Sequence, residues 1–229
     1  MKKIEDFKNG QLLLFDKPIG WSSFDVVNKI RWSIRKKFKI DKIKVGHAGT
    51  LDPLSTGLLL VATGKMTKSI EKFQNQKKTY VGNFIIGSTT PSFDKETEIN
   101  EQFETNHITK ELIVKVSKDF IGEISQYPPI FSAIKNKGKP LYKYARAGKN
   151  VKLKSRKITV FNFNIKDIRK LDVSFEIECS KGTYIRSLVN DFGKKLNSGA
   201  HLTKLRRTKI GDHSIEKAFK IDDFIQLLK

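Results

Sequence analysis

The stretch Gly46-His47-Ala48-Gly49-Thr50-Leu51-Asp52-Pro53-Leu54-Ser55-Thr56-Gly57 runs straight into the apolar segment Leu58-Leu59-Leu60-Val61-Ala62. Glycines at 46, 49 and 57 admit backbone angles and close approaches that a side chain forbids. Pro53 locks its own backbone and pushes Asp52 out of helical geometry, so the carboxylate projects from an extended or turn conformation. Thr50, Ser55 and Thr56 can hydrogen-bond nearby main chain and stiffen the turn. The apolar run that follows reads as a buried strand anchoring one end of the loop. An Asp-Pro pair often does no more than open a turn. A carboxylate on a rigidly anchored loop, however, is also what a catalytic site requires.

Outward from this loop the pattern alternates between strands and helices. Residues 11–16 read as a strand. Ser22 or Ser23 can cap a helix running to about Phe38, with Val27, Ile30, Ile34 and Phe38 at helical spacing. Strands are expected near 43–45 and 58–63, a short helix over 67–73, and a strand over 79–86. The polar segment 88–106 reads as a loop with a short strand around 97–99, followed by a helix over 109–120. Residues 122–151 combine prolines, glycines and basic residues with Tyr127, Phe131, Tyr142 and Tyr144, the composition of a solvated excursion or of an arm that binds nucleic acid. A strand pair over 157–166 and 171–179 turns near Lys170. A helix over 183–196, a strand over 200–210 and a helix over 221–228 close the chain. With no repeat, low-complexity tract or flexible linker, a single domain spanning residues 1–229 is the economical expectation.

Composition narrows the partner. The 229 residues carry 45 basic and 24 acidic side chains, a net charge of +21, which favours a polyanionic partner, nucleic acid first. Only eight of the 45 basic residues are arginine, and Arg186, Arg206 and Arg207 fall inside two motifs described below. Where lysine is the default cation, arginine points to a use for its planar fork. The one cysteine, Cys179, allows no intramolecular disulfide and suits a reducing cytoplasm. It lies in an alternating run, as a buried strand thiol would. No apolar run is long enough to span a membrane and no basic-then-apolar leader opens the chain. With no Cys/His cluster, a metal site has no support.

The loop closely resembles the catalytic motif of the TruB family of tRNA pseudouridine synthases, Gly-His-x-Gly-x-Leu-Asp-Pro-x-x-x-Gly. Five further segments are similar to family motifs and occur in family order: Leu14 to Ser23, Lys78-Thr79-Tyr80, Pro128 to Lys135, Ser180 to Leu188, and Gly199 to Arg207. The resemblance implies an α/β (α+β) pseudouridine synthase fold, with a central, largely antiparallel mixed sheet flanked by helices. It also implies that about residues 122–151 form a thumb-like insertion gripping RNA. About twenty residues follow Arg207, fewer than the PUA domain that many family members carry there would need, so a chain without that domain is expected.

The implied reaction is isomerisation of uridine to pseudouridine at position 55 in the T-loop of tRNA. The bond between ribose and base breaks, the uracil turns, and the ribose rejoins at carbon 5. Atoms are conserved, so no cofactor is expected. By resemblance Asp52 is the nucleophile, adding to the ring or acting at the sugar. Arg186 is its counter-ion, and Tyr80 stacks on the target base and assists proton transfer. The target must leave its stack to be reached. His47 resembles the residue that fills the gap left behind, and Tyr184 and Leu205 match positions lining the uracil pocket. Lys17, Arg146, Arg206 and Arg207 are candidates for the RNA backbone. The expected partner is the T-arm stem-loop, met by a monomer, without metal or membrane. Two alternatives are a guide-RNA-dependent synthase resembling dyskerin and a non-catalytic RNA-binding or RNA-folding protein.

Overall fold

The protein is described by a computed structural model over residues 3–149 and 151–228. It opens with helix α1 (Ile4–Asn9), strand β1 (Leu12–Lys17) and helix α2 (Ser23–Phe38). Strands β2 (Val45–His47) and β3 (Ser55–Thr63) flank the Asp52 loop, and α3 (Ile70–Gln74) leads to β4 (Lys78–Ile86). A two-stranded ribbon, β5 (Ser88–Thr89) with β6 (Glu101–Gln102), precedes α4 (Lys110–Lys118) and β7 (Gly122–Gln126). A second ribbon, β8 (Lys135–Asn136) with β9 (Lys139–Pro140), is followed by α5 (Leu141–Ala145). The long pair β10 (Arg156–Arg169) and β11 (Asp172–Cys179) comes next, then α6 (Ile185–Lys195). Strands β12 (Ala200–Ile210) and β13 (His213–Ser214) and helix α7 (Ile221–Leu228) close the order.

Among the described residues nine strands make one mixed sheet in the order β1-β3-β12-β4-β11-β10-β7, with β2 beside β3 and β13 beside β12. Its pairs are antiparallel at β1–β3, β10–β11 and β10–β7, and parallel at β3–β12. Mixed and largely antiparallel, with helices alongside, this is the fold class that the motifs imply. The chain forms two compact units, Met1–Tyr80 with Leu205–Lys229, and Val81–Lys204.

In the first unit β3 explains its own sequence. Leu59 and Val61 join a core with Phe7, Phe15, Val26, Ile30, Ile34 and Phe224, while Leu58 and Leu60 join a second cluster with Ala48 and Ile210. Burial on both faces is why the segment is continuously apolar rather than alternating. Helix α2 starts where its capping box is written: Asp25 N donates to Ser22 Oγ, and Ser22 N donates to the Asp25 carboxylate. Its buried face carries Val26, Val27, Ile30 and Ile34, so the helical period places the stripe correctly. Lys39, at φ 51°, ends it in the left-handed region. The second unit is built on aromatic packing, with Phe192 of α6 in ring contact with Phe84, Phe120 and Phe163. Cys179 is fully buried on β11, as its alternating run implied.

Several elements differ from the sequence expectation. Helix α1 was not anticipated; at six residues it carries too little periodicity to be read. The strand expected near 43–45 begins at Val45, where pairing with Thr63 starts. The helix expected over 67–73 is a 3-10 turn over Gly64–Ser69 followed by α3. No strand forms at 97–99, because the Thr97 hydroxyl is bonded by both the amide and the hydroxyl of Ser92 and closes a loop instead. Residues 122–126 are a sheet strand paired with 156–160, so the excursion begins only after Gln126.

Candidate active site

In the first unit the Asp52 loop is held from three directions. Ser23 Oγ, at the start of α2, accepts from Leu51 N at 2.8 Å and donates to Leu51 O at 3.1 Å. Gly20 N donates to Pro53 O at 2.9 Å, and Ser55 N to Asp52 O at 3.0 Å. Asp52 therefore lies between two residues whose main chain is clamped by the segment after β1. Lys17, fully buried, donates from Nζ to Trp21 O at 2.6 Å, to Pro18 O at 3.0 Å and to Pro53 O at 3.5 Å. Burial pushes its pKa down to about 8; Arg207 adds to the fall, and the Asp52, Asp25 and Asp16 carboxylates oppose it. With its ammonium bonded to carbonyls of the segment after β1 and to Pro53 O of the Asp52 loop, Lys17 is placed as a structural pin rather than as the backbone contact expected of it.

The third hold is Arg207, 1% exposed. Its Nε donates to Leu58 O at 2.8 Å and its Nη2 to Gly49 O at 3.0 Å, tying the far side of the loop to β3. Nη1 lies 3.5 Å from Tyr80 Oη, and the guanidinium carbon is 6.0 Å from the ring centroid. The Arg207 guanidinium, considered as an RNA backbone contact from sequence, is thus inside the protein. Arg206 is half-exposed and forms a bidentate pair with Asp16, at 3.0 and 2.7 Å. Gly57 is required by this packing: at φ +105° an added Cβ would meet Arg207 O at 2.3 Å, across the parallel β3–β12 pair. Tyr80 and Leu205 are both buried, and Leu205 is paired with Ser55 at the loop's end. Burial and then the Arg207 charge lower the His47 pKa, so its imidazole is neutral at pH 7. Its Nδ1 is buried and has no hydrogen-bond partner among the described residues.

In the second unit Arg186, 3% exposed, sits in the first turn of α6. It donates from Nη1 to Ser92 O at 3.1 Å and from Nη2 to Phe131 O at 2.9 Å, with Nε 3.5 Å from the buried Asp94 carboxylate. One guanidinium so fastens the 90–94 loop to the Pro128–Lys135 segment. Tyr184 is positioned through its main chain: Gln126 accepts from Tyr184 N at 2.8 Å and donates to Tyr184 O at 3.0 Å. The Arg156 guanidinium stands 5.7 Å from the Tyr184 ring. Arg146 is exposed, paired with Glu96 at 2.9 Å and close to the Tyr142 ring.

Comparison with known proteins shows the family. Residues 35–185 match the family description "TruB family pseudouridylate synthase (N terminal domain)", and residues 186–229 match "tRNA pseudouridylate synthase B C-terminal domain". The chain belongs to the TruB family. A relative in Flavobacterium johnsoniae named tRNA pseudouridine synthase B is 54% identical over 98% of this chain and 99% of its own. Another of that name, in Phocaeicola vulgatus, is 48% identical over 97% and 95%. Among solved structures, a chain of "a Cbf5-Nop10-Gar1 Complex" superposes with TM-score 0.71 at 29% identity. It is covered over 56% of its length, against 98% of this chain.

Three groups of this TruB-family chain escaped the sequence reading. Asp94 lies in a polar turn where one acid looks like any other. Gln126 stands next to the Pro-Pro pair with no local sign of its main-chain clamp. Ser23 was legible as a helix cap but not as the partner of Leu51. Among the described residues no group of His, Cys, Asp and Glu could hold a metal ion, and no helix is long and apolar enough to cross a membrane.

Proposed function

We propose that this chain isomerises uridine to pseudouridine in tRNA, at position 55 of the T-loop, acting as a cytoplasmic monomer on the T-arm. One observation carries the reading. The Asp52 loop is fixed at Leu51, Pro53 and Gly49 by Ser23, Lys17 and Arg207, in a chain that aligns end to end with relatives named tRNA pseudouridine synthase B. Asp52 is the nucleophile, and a fixed backbone sets its carboxylate for attack at little reorganisation cost. Tyr80 is the stacking platform and proton relay, with Leu205 as a wall of the uracil pocket. Arg186 supplies the balancing charge, Tyr184 lines the pocket, and neutral His47 fills the gap that the flipped base leaves. A neutral imidazole suits that task, because it can stack in the duplex without carrying charge into it. During the reaction the bond from N1 to the ribose breaks, a bond from C5 forms, C5 loses its proton and N1 gains one, so nothing is oxidised or reduced.

The segment that follows Gln126, with Arg146 among its exposed cations, is the arm that grips the stem. Arg206, half-exposed beside Asp16, is the remaining backbone contact of the first unit. A guide-RNA-dependent reaction has less support, since the Cbf5 chain is far more distant than the named relatives. The decisive assay incubates pure protein with an unmodified T-arm stem-loop in chelator and maps pseudouridine by carbodiimide-blocked primer extension. A stop at the T-loop uridine is expected, with Asp52→Asn losing turnover while keeping RNA affinity. Unmodified stem-loop and unmodified full tRNA would refute the reading, and intact function in Asp52→Asn would favour the non-catalytic one.

A further inference from the structure

The exposed apolar side chains of the first unit are not scattered. Among its described residues five large hydrophobics are exposed, Ile19, Phe24, Trp32, Leu54 and Leu227, and three of these bracket Asp52. Ile19 and Leu54 flank a single hydrogen bond: the peptide between Ile19 and Gly20 donates to the peptide between Pro53 and Leu54 at 2.9 Å. Phe24 follows Ser23, whose hydroxyl grips Leu51. Their exposures are 65% for Ile19, 62% for Phe24 and 39% for Leu54. The main chain beneath all three is pinned, so the patch is a fixed surface. Neither the core nor any role assigned above uses these side chains.

We propose that Ile19, Phe24 and Leu54 form an apolar shelf for a nucleobase adjacent to the target uridine in the substrate RNA. This rests on the reading of Asp52 as the catalytic carboxylate. When a uridine leaves its stack the loop around it is distorted, and beyond the gap that His47 fills a flanking base can present a face to water. An apolar and aromatic surface beside the reacting group is what such a face would meet, and proteins that unstack nucleic acid hold it with side chains of this kind. Continuity with the Asp52 loop favours RNA over a second protein, since a partner seated there would close the approach to the carboxylate. The shelf would read stacking rather than hydrogen bonds, so it would tolerate different bases at the flanking position.

The test is a cycle between protein and RNA. Wild type and the Ile19→Ser/Phe24→Ser double variant are assayed on a T-arm stem-loop and on the same RNA with an abasic ribose at either flanking nucleotide. Affinity and kcat/KM are both measured. The double variant is expected to lose about tenfold on the intact RNA, and less than twofold on one of the abasic RNAs. Both side chains are exposed, so the melting temperature should stay near that of wild type, and the apolar double variant Ile19→Met/Phe24→Leu should keep most of what the serine variant loses. Equal losses on intact and abasic RNA, or no loss, would overturn the shelf. So would a wild-type dimer that the double variant dissociates, which would make the patch a self-association face. Failure of wild type to modify any RNA refutes the functional reading instead, and the affinity cycle still decides the shelf.

Discussion

Lys17 and Arg207 show how much main chain a buried cation can organise. Lys17 donates to Pro53 O, just after Asp52, and Arg207 to Gly49 O, before it. Lys17→Met leaves those carbonyls with one donor fewer and should destabilise the protein by about 2–3 kcal/mol, readable by denaturant unfolding. The pH behaviour of Lys17 has a definite sign. Its folded pKa of about 8 lies below the ordinary 10.5. Across that interval the unfolded chain holds a proton that the folded chain has released, so this group's contribution to stability rises with pH. The ammonium that clamps the loop is lost over the same interval. Catalytic efficiency should therefore fall along an alkaline limb starting near pH 8 while thermal stability does not follow it. An activity loss that tracks melting would contradict this. His47 acts on the acid side. Its folded pKa is lowered from 6.5, so stability is lost as pH falls below 6.5 and the unfolded chain gains the proton first. His47→Gln should flatten that acid slope in urea titrations at pH 5 to 7.

At the scale of elements, the junction of β3 with β12 decides where the loop ends. Gly57→Ala adds a Cβ 2.3 Å from Arg207 O at a positive φ, and neither strand can shift without breaking the parallel pair. A destabilisation of at least about 3 kcal/mol is expected from strain and clash together, with turnover lost alongside stability. The start of α2 is a milder case. Ser22→Ala removes both bonds of the hydroxyl to Asp25 while the Ser22 N bond to the Asp25 carboxylate remains, and should cost about 1 kcal/mol by thermal melting. Ser23→Ala looks equivalent in sequence but is not. Its hydroxyl serves Leu51, so the larger effect should appear in kcat rather than in melting. Elements long enough to show a period were legible beforehand: α2, β3, α4, the β10–β11 pair, α6 and β12. Helix α1, the ribbons β5–β6 and β8–β9, and the 3-10 turn are too short for periodicity, and contacts distant in sequence decide them.

For the whole molecule, charge governs how RNA is held. A net +21 predicts that tRNA affinity falls steeply with salt, because each neutralised phosphate releases counterions. A plot of log affinity against log salt should show a slope of several units, and a flat plot would remove electrostatics from the account. The sequence by itself determined the class of fold, the family and the expectation of a polyanionic partner, and it singled out Asp52 as the carboxylate to test. Those follow from composition and from local patterns, which a linear chain displays in full. Only the tertiary structure decided that Lys17 and Arg207 are buried rather than on the surface, and that Arg186 is braced by Asp94, Ser92 and Phe131. It alone also showed that Ile19, Phe24 and Leu54 remain exposed around a pinned backbone. A cation's role depends on which carbonyls surround it, and those come from segments up to 158 residues away. Burial and partnership are properties of packing, and no local pattern encodes them.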